Sequence, residues 1–178
     1  PAVRDTAAVD IQVNREGGCA VPLTLVQRAV ERKRQASAQD DEIDEFWCVF
    51  DVEWPRNHPH LREALDLAKA NDVKVAVSNP CFELWLILHF VAHGGWLDND
   101  GARRLRRSHD QQMDKGVDGA IYMPLRQVAT DRARLMADRH TSNGTAFPHD
   151  NPSTGMHLLI ASVEGRPAGR ARRRARER

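Results

Sequence analysis

Two acidic residues, Asp51 and Glu53, follow directly after an apolar run at residues 46–50. The run is typical of a buried central strand, and residues two apart on a strand project from the same face. A strand rises about 6 to 7 Å over two residues, so the two carboxylates could share a hard ion such as Mg²⁺ or Mn²⁺. Such an ion would position a phosphodiester, stabilise developing negative charge or lower the pKa of an attacking water. Acids at strand ends are also common turn residues, and the spacing alone leaves both interpretations open.

A third acid, Glu83, lies in the first turn of an apolar segment that is predicted to be helical. The segment follows a predicted strand at residues 73–77, so its start would face the carboxyl edge of the sheet and bring Glu83 and Asn79 towards Asp51. The structural alternative is that Glu83 only complements the helix dipole, which contributes about 0.3–1 kcal/mol. We treat Glu83 as a secondary catalytic candidate.

Basic residues supply the candidates for nucleic-acid binding. A predicted helix at residues 101–113 crowds four arginines into two turns, among them Arg103 and Arg107, which we assign to phosphate contacts. Each neutralised phosphate releases counterions and adds sequence-independent affinity, although a solvated helix face gives the same pattern. Neither this helix nor the tail at residues 166–178 contains an aromatic residue, which argues against base stacking by these two segments.

The elements around these residues alternate between strand and helix patterns. We predict strands at residues 9–13, 46–51 and 73–77, and helices that begin at Pro22, near His60 and at Pro80, with Ser78 or Asn79 as the last helix's cap. This order favours right-handed βαβ crossovers, a mostly parallel sheet and an α/β fold, with residues 46–51 as its central strand. His89, inside the apolar helix, is predicted to be a hydrogen-bonded core residue.

Two further helices are predicted near the C-terminus. One covers residues 124–139 and is expected to face inward through Leu125, Val128, Leu135 and Met136. The other follows Thr154 and repeats apolar residues at helical spacing.

Length and charge predict a single domain with a basic tail. The 178 residues carry a formal net charge of +1; seven arginines and one glutamate give residues 166–178 a charge of +6, so residues 1–165 carry −5. The tail has no large apolar residue and is expected to be disordered unless bound. Three widely spaced cysteines indicate neither a disulfide framework nor a zinc site. With no signal peptide or transmembrane pattern, we expect a cytoplasmic protein without membrane partners.

The apolar helix carries a resemblance to a known family. Its sequence Ser-Asn-Pro-Cys-Phe-Glu-Leu-Trp at residues 78–85, continuing to residue 90, is similar to the signature segment of the RloB family. Three other segments agree in order: residues 49–53, residues 115–122 and residues 151–158, which contain Asn-Pro-Ser-Thr followed by Met-His-Leu.

The resemblance implies a Toprim-like three-layer α/β fold, in which helices flank a mostly parallel sheet and extra helices follow at the C-terminus. It also implies a metal-dependent nuclease of bacterial defence or restriction-associated loci, with an ATPase partner. Toprim-like domains carry an Asp-x-Asp motif where this chain has Asp51-Val52-Glu53, so metal binding by Asp51 and Glu53 is expected. Lys115 aligns with a lysine of the family and is a phosphate-binding candidate.

One acidic residue of the family pattern has no match in the chain. The family has a glutamate after its first strand, and residues 9–13 match its second strand, so we expect that glutamate before Pro1 and an N-terminally incomplete domain. Glu16 fits the turn after the second strand instead.

Two hypotheses follow from these patterns. The first is a Mg²⁺-dependent nuclease, acting on DNA or RNA in an antiphage, abortive-infection or restriction-associated system. The second is a non-catalytic nucleic-acid-binding or regulatory subunit that partners an ATPase.

Overall fold

The computed structural model describes residues 21–40, 43–54, 58–111 and 116–165. The predicted strand at residues 9–13, Glu16, Lys115 and the basic tail lie outside the described residues. The elements in chain order are α1 (Pro22–Ala38), β1 (Trp47–Asp51), α2 (Leu61–Ala70), β2 (Lys74–Asn79), α3 (Glu83–Phe90), α4 (Asn99–Asp110), α5 (Gly119–Tyr122), a 3-10 turn (Met123–Leu125), α6 (Arg126–Ser142), β3 (Ser153–Thr154) and α7 (Met156–Glu164).

The described strands form a small mixed sheet in the order β1-β2-β3. β1 pairs with β2 in parallel, from Trp47 opposite Lys74 to Asp51 opposite Ser78. β2 pairs with β3 antiparallel, with Ser78 opposite Thr154. The α/β class is therefore confirmed, with one parallel pair in the described sheet. Among the described strands, the central position belongs to β2 and not, as predicted, to β1.

A glycine allows the chain to approach the centre of this sheet. The amide of Gly155 donates to the carbonyl of Val77 at 2.8 Å. A Cβ at residue 155 would lie 3.1 Å from the Cα of Ala76, which is tighter than ordinary packing. Gly155 thus lets β3 pair closely with β2 and places α7 over the sheet.

Helices cover both faces of the sheet. Val26 of α1, Phe50 of β1 and Ala64 of α2 belong to one buried cluster, against which Val75 and Val77 pack. Ala76, between those two valines, belongs to a second cluster built mainly by α3, α6 and α7. Since successive side chains on a strand point to opposite faces, the two clusters lie on opposite sides of the sheet.

The apolar helix α3 forms the centre of the second cluster, as predicted, but it starts later than expected. Ser78 and Asn79 belong to β2, and the Asn79-Pro80 peptide is cis. Their side chains bond to Thr154 Oγ1 at 3.0 Å and Asp150 Oδ1 at 2.9 Å rather than capping the helix. His89 is buried with Nδ1 2.9 Å from the carbonyl of Trp85, which confirms the predicted core histidine.

Helix α6 presents to the core a face that only partly matches the prediction. Met136 is buried as expected, but Val128 and Leu135 are 40% and 65% exposed, and Ala129 and Ala133 are buried instead. The small alanine side chains let α6 approach α3 closely, so packing selects them over the larger residues.

Within the part of the chain that the structure describes, no helix is both long and apolar enough to cross a bilayer.

Candidate active site

Asp51 is the last residue of β1 and lies at the carboxyl end of the parallel pair. Backbone pairing continues beyond it: the amide of Val52 donates to Ser78 O at 2.9 Å and that of Glu53 to Pro80 O at 2.9 Å. The chain then leaves the extended conformation, since Glu53 has a left-handed φ of 65°. Asp51 therefore lies where predicted, but strand geometry does not place the Glu53 carboxylate on its face.

The environment of the Asp51 carboxyl disfavours negative charge. The pKa of Asp51 is raised from 3.8 to about 7, chiefly by burial. The carboxylates of Glu53 and Glu83 also raise it, whereas a hydrogen bond from the Phe82 amide and the charge of Arg103 lower it. The Phe82 amide belongs to the residue that caps α3. The structure thus brings the three predicted acids into electrostatic contact at one edge of the sheet.

Glu83 faces α4. Its Oε1 lies 3.8 Å from Nε of Arg103, and the two side chains are 18% and 37% exposed. Burial, followed by the neighbouring Glu83 carboxylate, raises the pKa of the Cys81 thiol. Glu83 therefore interacts both with Asp51, through its charge, and with Arg103 of α4.

Glu53 is held by the first residue of α4. The side-chain amide of Asn99 donates to Glu53 Oε2, and the Asn99 backbone amide donates to Trp54 O at 3.2 Å. The other side-chain atom, Asn99 Oδ1, is buried without a hydrogen-bond partner among the described residues. Asn99 therefore fixes the turn after β1 and leaves a buried acceptor beside the acids.

The side-chain oxygens at this edge of the sheet are of the type that binds divalent ions. Carboxylate oxygens are the ligands that Mg²⁺ and Mn²⁺ prefer, and Asp51, Glu53 and Glu83 supply them. Among the described residues, however, no group of three or more His, Cys, Asp or Glu side chains is arranged to hold a metal ion. A cation here would depend on one or two carboxylates, completed by water or phosphate oxygens.

The arginines of α4 divide into three kinds. Arg103 contacts Glu83 and, through Nη1, Asp100 at 3.4 Å, whereas Arg107 is exposed. Arg106, which the sequence places in the same basic cluster, is buried and pairs with Asp110 at 2.5 Å. Only part of the predicted cluster can therefore meet a phosphate.

One comparison with known proteins assigns the chain to a family. The sequence model of the RloB-like protein family matches residues 2–163. The chain belongs to the RloB-like family. The predicted resemblance is therefore confirmed over most of the chain. No curated protein and no solved structure gives a significant match.

Sequence reasoning missed three residues beside the acids of this RloB-like protein. Asn99 contacts Glu53, and Trp54 and Trp96 form a perpendicular ring pair with centroids 6.1 Å apart. Trp54 directly follows the Asp-Val-Glu sequence, which was an available signal. Trp96 and Asn99 are more than forty residues away from it, and only the fold brings them to the site.

Proposed function

We propose that this RloB-like protein is a Toprim-like, Mg²⁺-dependent nuclease of an antiphage or restriction-associated system. The observation that carries the proposal is the position of Asp51 at the carboxyl end of a parallel strand pair, half-buried near two other carboxylates. Ligand sites of open α/β sheets characteristically form at that edge. Helices on both faces of the sheet are compatible with the three-layer Toprim-like arrangement.

Asp51 and Glu53 would hold the ion, with Mn²⁺ as a substitute. Bound there, the ion would stabilise the charge that develops on a phosphodiester or lower the pKa of the attacking water. Asp51 must give up its proton to act as a ligand, and the Phe82 amide orients the resulting carboxylate. Asn99 holds Glu53 in place.

The remaining charged residues have positioning roles in this proposal. Glu83 keeps the Arg103 guanidinium at the rim of the site, where its exposed fraction can reach a phosphate oxygen. Arg107 would add a phosphate contact, and Lys115, which lies outside the described residues, is proposed as another phosphate-binding residue.

A cleavage assay tests the proposal. Single-stranded and duplex DNA and RNA are incubated with the purified protein in Mg²⁺, Mn²⁺ or EDTA, and Asp51→Asn is compared with Asp66→Asn, which changes an exposed carboxylate on α2. We expect metal-dependent cleavage by the wild type and by Asp66→Asn, and none by Asp51→Asn beyond the EDTA level. Undiminished cleavage by Asp51→Asn would overturn the proposal.

A second function is favoured by the partners that the acids already have. Arg103 lies against Glu83, and Asn99 donates to Glu53, so the cluster is partly neutralised without an ion. A non-catalytic subunit that binds nucleic acid or an ATPase partner would need no more than this. It predicts nucleic-acid binding that is unchanged by EDTA, and calorimetric binding of Mg²⁺ that disappears in Asp51→Asn would count against it.

A further inference from the structure

The two tryptophans beside the acids expose an unusual amount of aromatic surface. Trp54 is 36% exposed and Trp96 is 60% exposed, whereas Trp85 in the core is 5% exposed. The rings of Trp54 and Trp96 meet at 89°. In a perpendicular pair each ring covers at most one face of the other, so further ring faces stay open. Large aromatic residues are normally buried for the stability they confer, and an exposed pair therefore indicates a binding surface.

Trp54 is built into the same turn as the acids. It directly follows Glu53, and its carbonyl accepts the backbone amide of Asn99 at 3.2 Å. The side chain of Asn99 donates to Glu53 in turn. The backbone of Trp54 is thus anchored one residue away from a candidate metal ligand.

Trp96 is fixed to the same edge of the sheet from another direction. The next residue, Leu97, gives its amide to Asn151 Oδ1 at 3.0 Å, and its carbonyl accepts Asn151 Nδ2 at 2.8 Å. Asn151 Nδ2 also lies 3.2 Å from Oδ1 of Asn79, at the end of β2. These bonds hold the segment that carries Trp96 in position before any ligand arrives, which reduces the entropy that binding must cost.

Positive charge lies further along α4, beyond a first turn that carries Asp98 and Asp100. The helix begins three residues after Trp96 and exposes Arg104 and Arg107, which are separated by about 4.5 Å along the helix axis. Aromatic rings that stack on bases, next to cations that track the phosphates, are the combination that binds single-stranded nucleic acid. In a duplex the base faces are hidden by their neighbours, so a ring pair of this kind has nothing to stack on.

We propose that Trp54 and Trp96 form a stacking platform for an unpaired nucleobase and that the substrate at this site is a single strand or an unpaired loop. The proposal rests on the proposed function, because the platform would present the neighbouring phosphodiester to the acids at Asp51. Both DNA and RNA offer the chemistry that the platform requires, which is a base face joined to a phosphate.

Fluorescence anisotropy tests the platform by measuring the affinity for short labelled single strands of DNA and RNA and for the matching duplex. The measurement is made in EDTA, where no cleavage occurs. The variants are Trp96→Ala, the aromatic replacement Trp96→Phe, and Leu135→Ala as a control that removes an equally exposed apolar side chain from α6. We expect Trp96→Ala to weaken single-strand binding about tenfold, since one stacked base contributes about 1–3 kcal/mol. Trp96→Phe should keep most of the affinity, and Leu135→Ala and all duplex affinities should be unchanged.

The platform is overturned if Trp96→Ala binds single strands as tightly as the wild type, if it loses duplex affinity equally, or if the wild type binds no single strand. Loss of self-association in Trp96→Ala, with nucleic-acid binding intact, would assign the tryptophans to a protein interface and overturn it as well. Cleavage by Asp51→Asn is measured in parallel. If single-strand binding depends on Trp96 but cleavage does not depend on Asp51, only the assignment of the nuclease site to Asp51 is removed. If cleavage depends on Asp51 but binding does not depend on Trp96, only the platform is removed.

Discussion

Replacing Asp51 with asparagine should stabilise the protein while it removes the proposed metal ligand. Asp51 is half-buried and has two acidic neighbours, and the pKa of its carboxyl is raised from 3.8 to about 7. Asparagine has nearly the same shape, carries no charge at any pH, and its oxygen can still accept the hydrogen bond from the Phe82 amide. The variant therefore removes an unfavourable charge without creating a cavity.

The pH dependence of this effect has a definite sign. Between pH 3.8 and about 7 the folded protein keeps a proton on Asp51 that the unfolded chain has lost, so the free energy of unfolding falls as pH rises through this window. One pKa unit corresponds to 1.36 kcal/mol, so the shift sets an upper limit of about 4 kcal/mol. Partial solvent exposure of the side chain screens the charge, and we expect Asp51→Asn to gain about 2 kcal/mol at pH 8.

Urea unfolding at pH 4, 6 and 8, followed by circular dichroism, measures the effect. Asp51→Asn should match the wild type at pH 4 and exceed its stability increasingly at pH 6 and 8. Asp66→Asn, an exposed change on α2, should differ little from the wild type at any of the three pH values. A stability difference for Asp51→Asn that does not grow with pH, or that favours the wild type at pH 8, would refute the proposed electrostatic environment.

Three further substitutions should each lower the free energy of unfolding, which urea unfolding measures. Glu45→Gln should cost about 1–2 kcal/mol at pH 7, because hydrogen bonds, of which that from Lys74 is the strongest, lower the glutamate's pKa from 4.5 to about 2. The loss of stability should disappear as the pH falls through that window. A loss that persists at pH 2 would contradict this prediction. Arg106→Met should cost about 3–5 kcal/mol by removing the positive charge that faces the buried carboxylate of Asp110. The exposed control Arg107→Met should change stability by under about 0.5 kcal/mol, and equal losses would refute the buried pair. Gly155→Ala should cost about 1–3 kcal/mol because its Cβ meets the β2 backbone, and wild-type stability would contradict that contact.

The sequence predicted those parts of the site that depend on local pattern. A run of apolar residues bounded by acids is enough to place Asp51 at the end of a strand, although Val49 of that strand is 45% exposed. The apolar character of α3 is enough to place that helix in the core. The left-handed turn at Glu53 alters the direction of its carboxylate and has no comparable local signal. The extension of β2 through Ser78 and Asn79, after which α3 begins at Glu83, has none either.

Side-chain pairings between distant segments were the least predictable features. Arg106 appears in the sequence as one of four similar arginines, and its burial depends on Tyr122, which contacts it from sixteen residues away. The periodicity of α6 favoured Leu135 as a core residue, but close contact with α3 selected small residues instead. The aromatic pair beside the acids could not be inferred for the same reason, since Trp54 and Trp96 are far apart in the sequence and only the fold brings their rings together.

Anomalous diffraction from crystals grown with Mn²⁺ measures the proposed ion site most directly. We expect a peak about 2.1 Å from a carboxylate oxygen of Asp51, and no peak there in crystals of Asp51→Asn. If wild-type crystals that contain Mn²⁺ in their solvent show no anomalous peak at Asp51, this would contradict metal-dependent chemistry at this edge of the sheet.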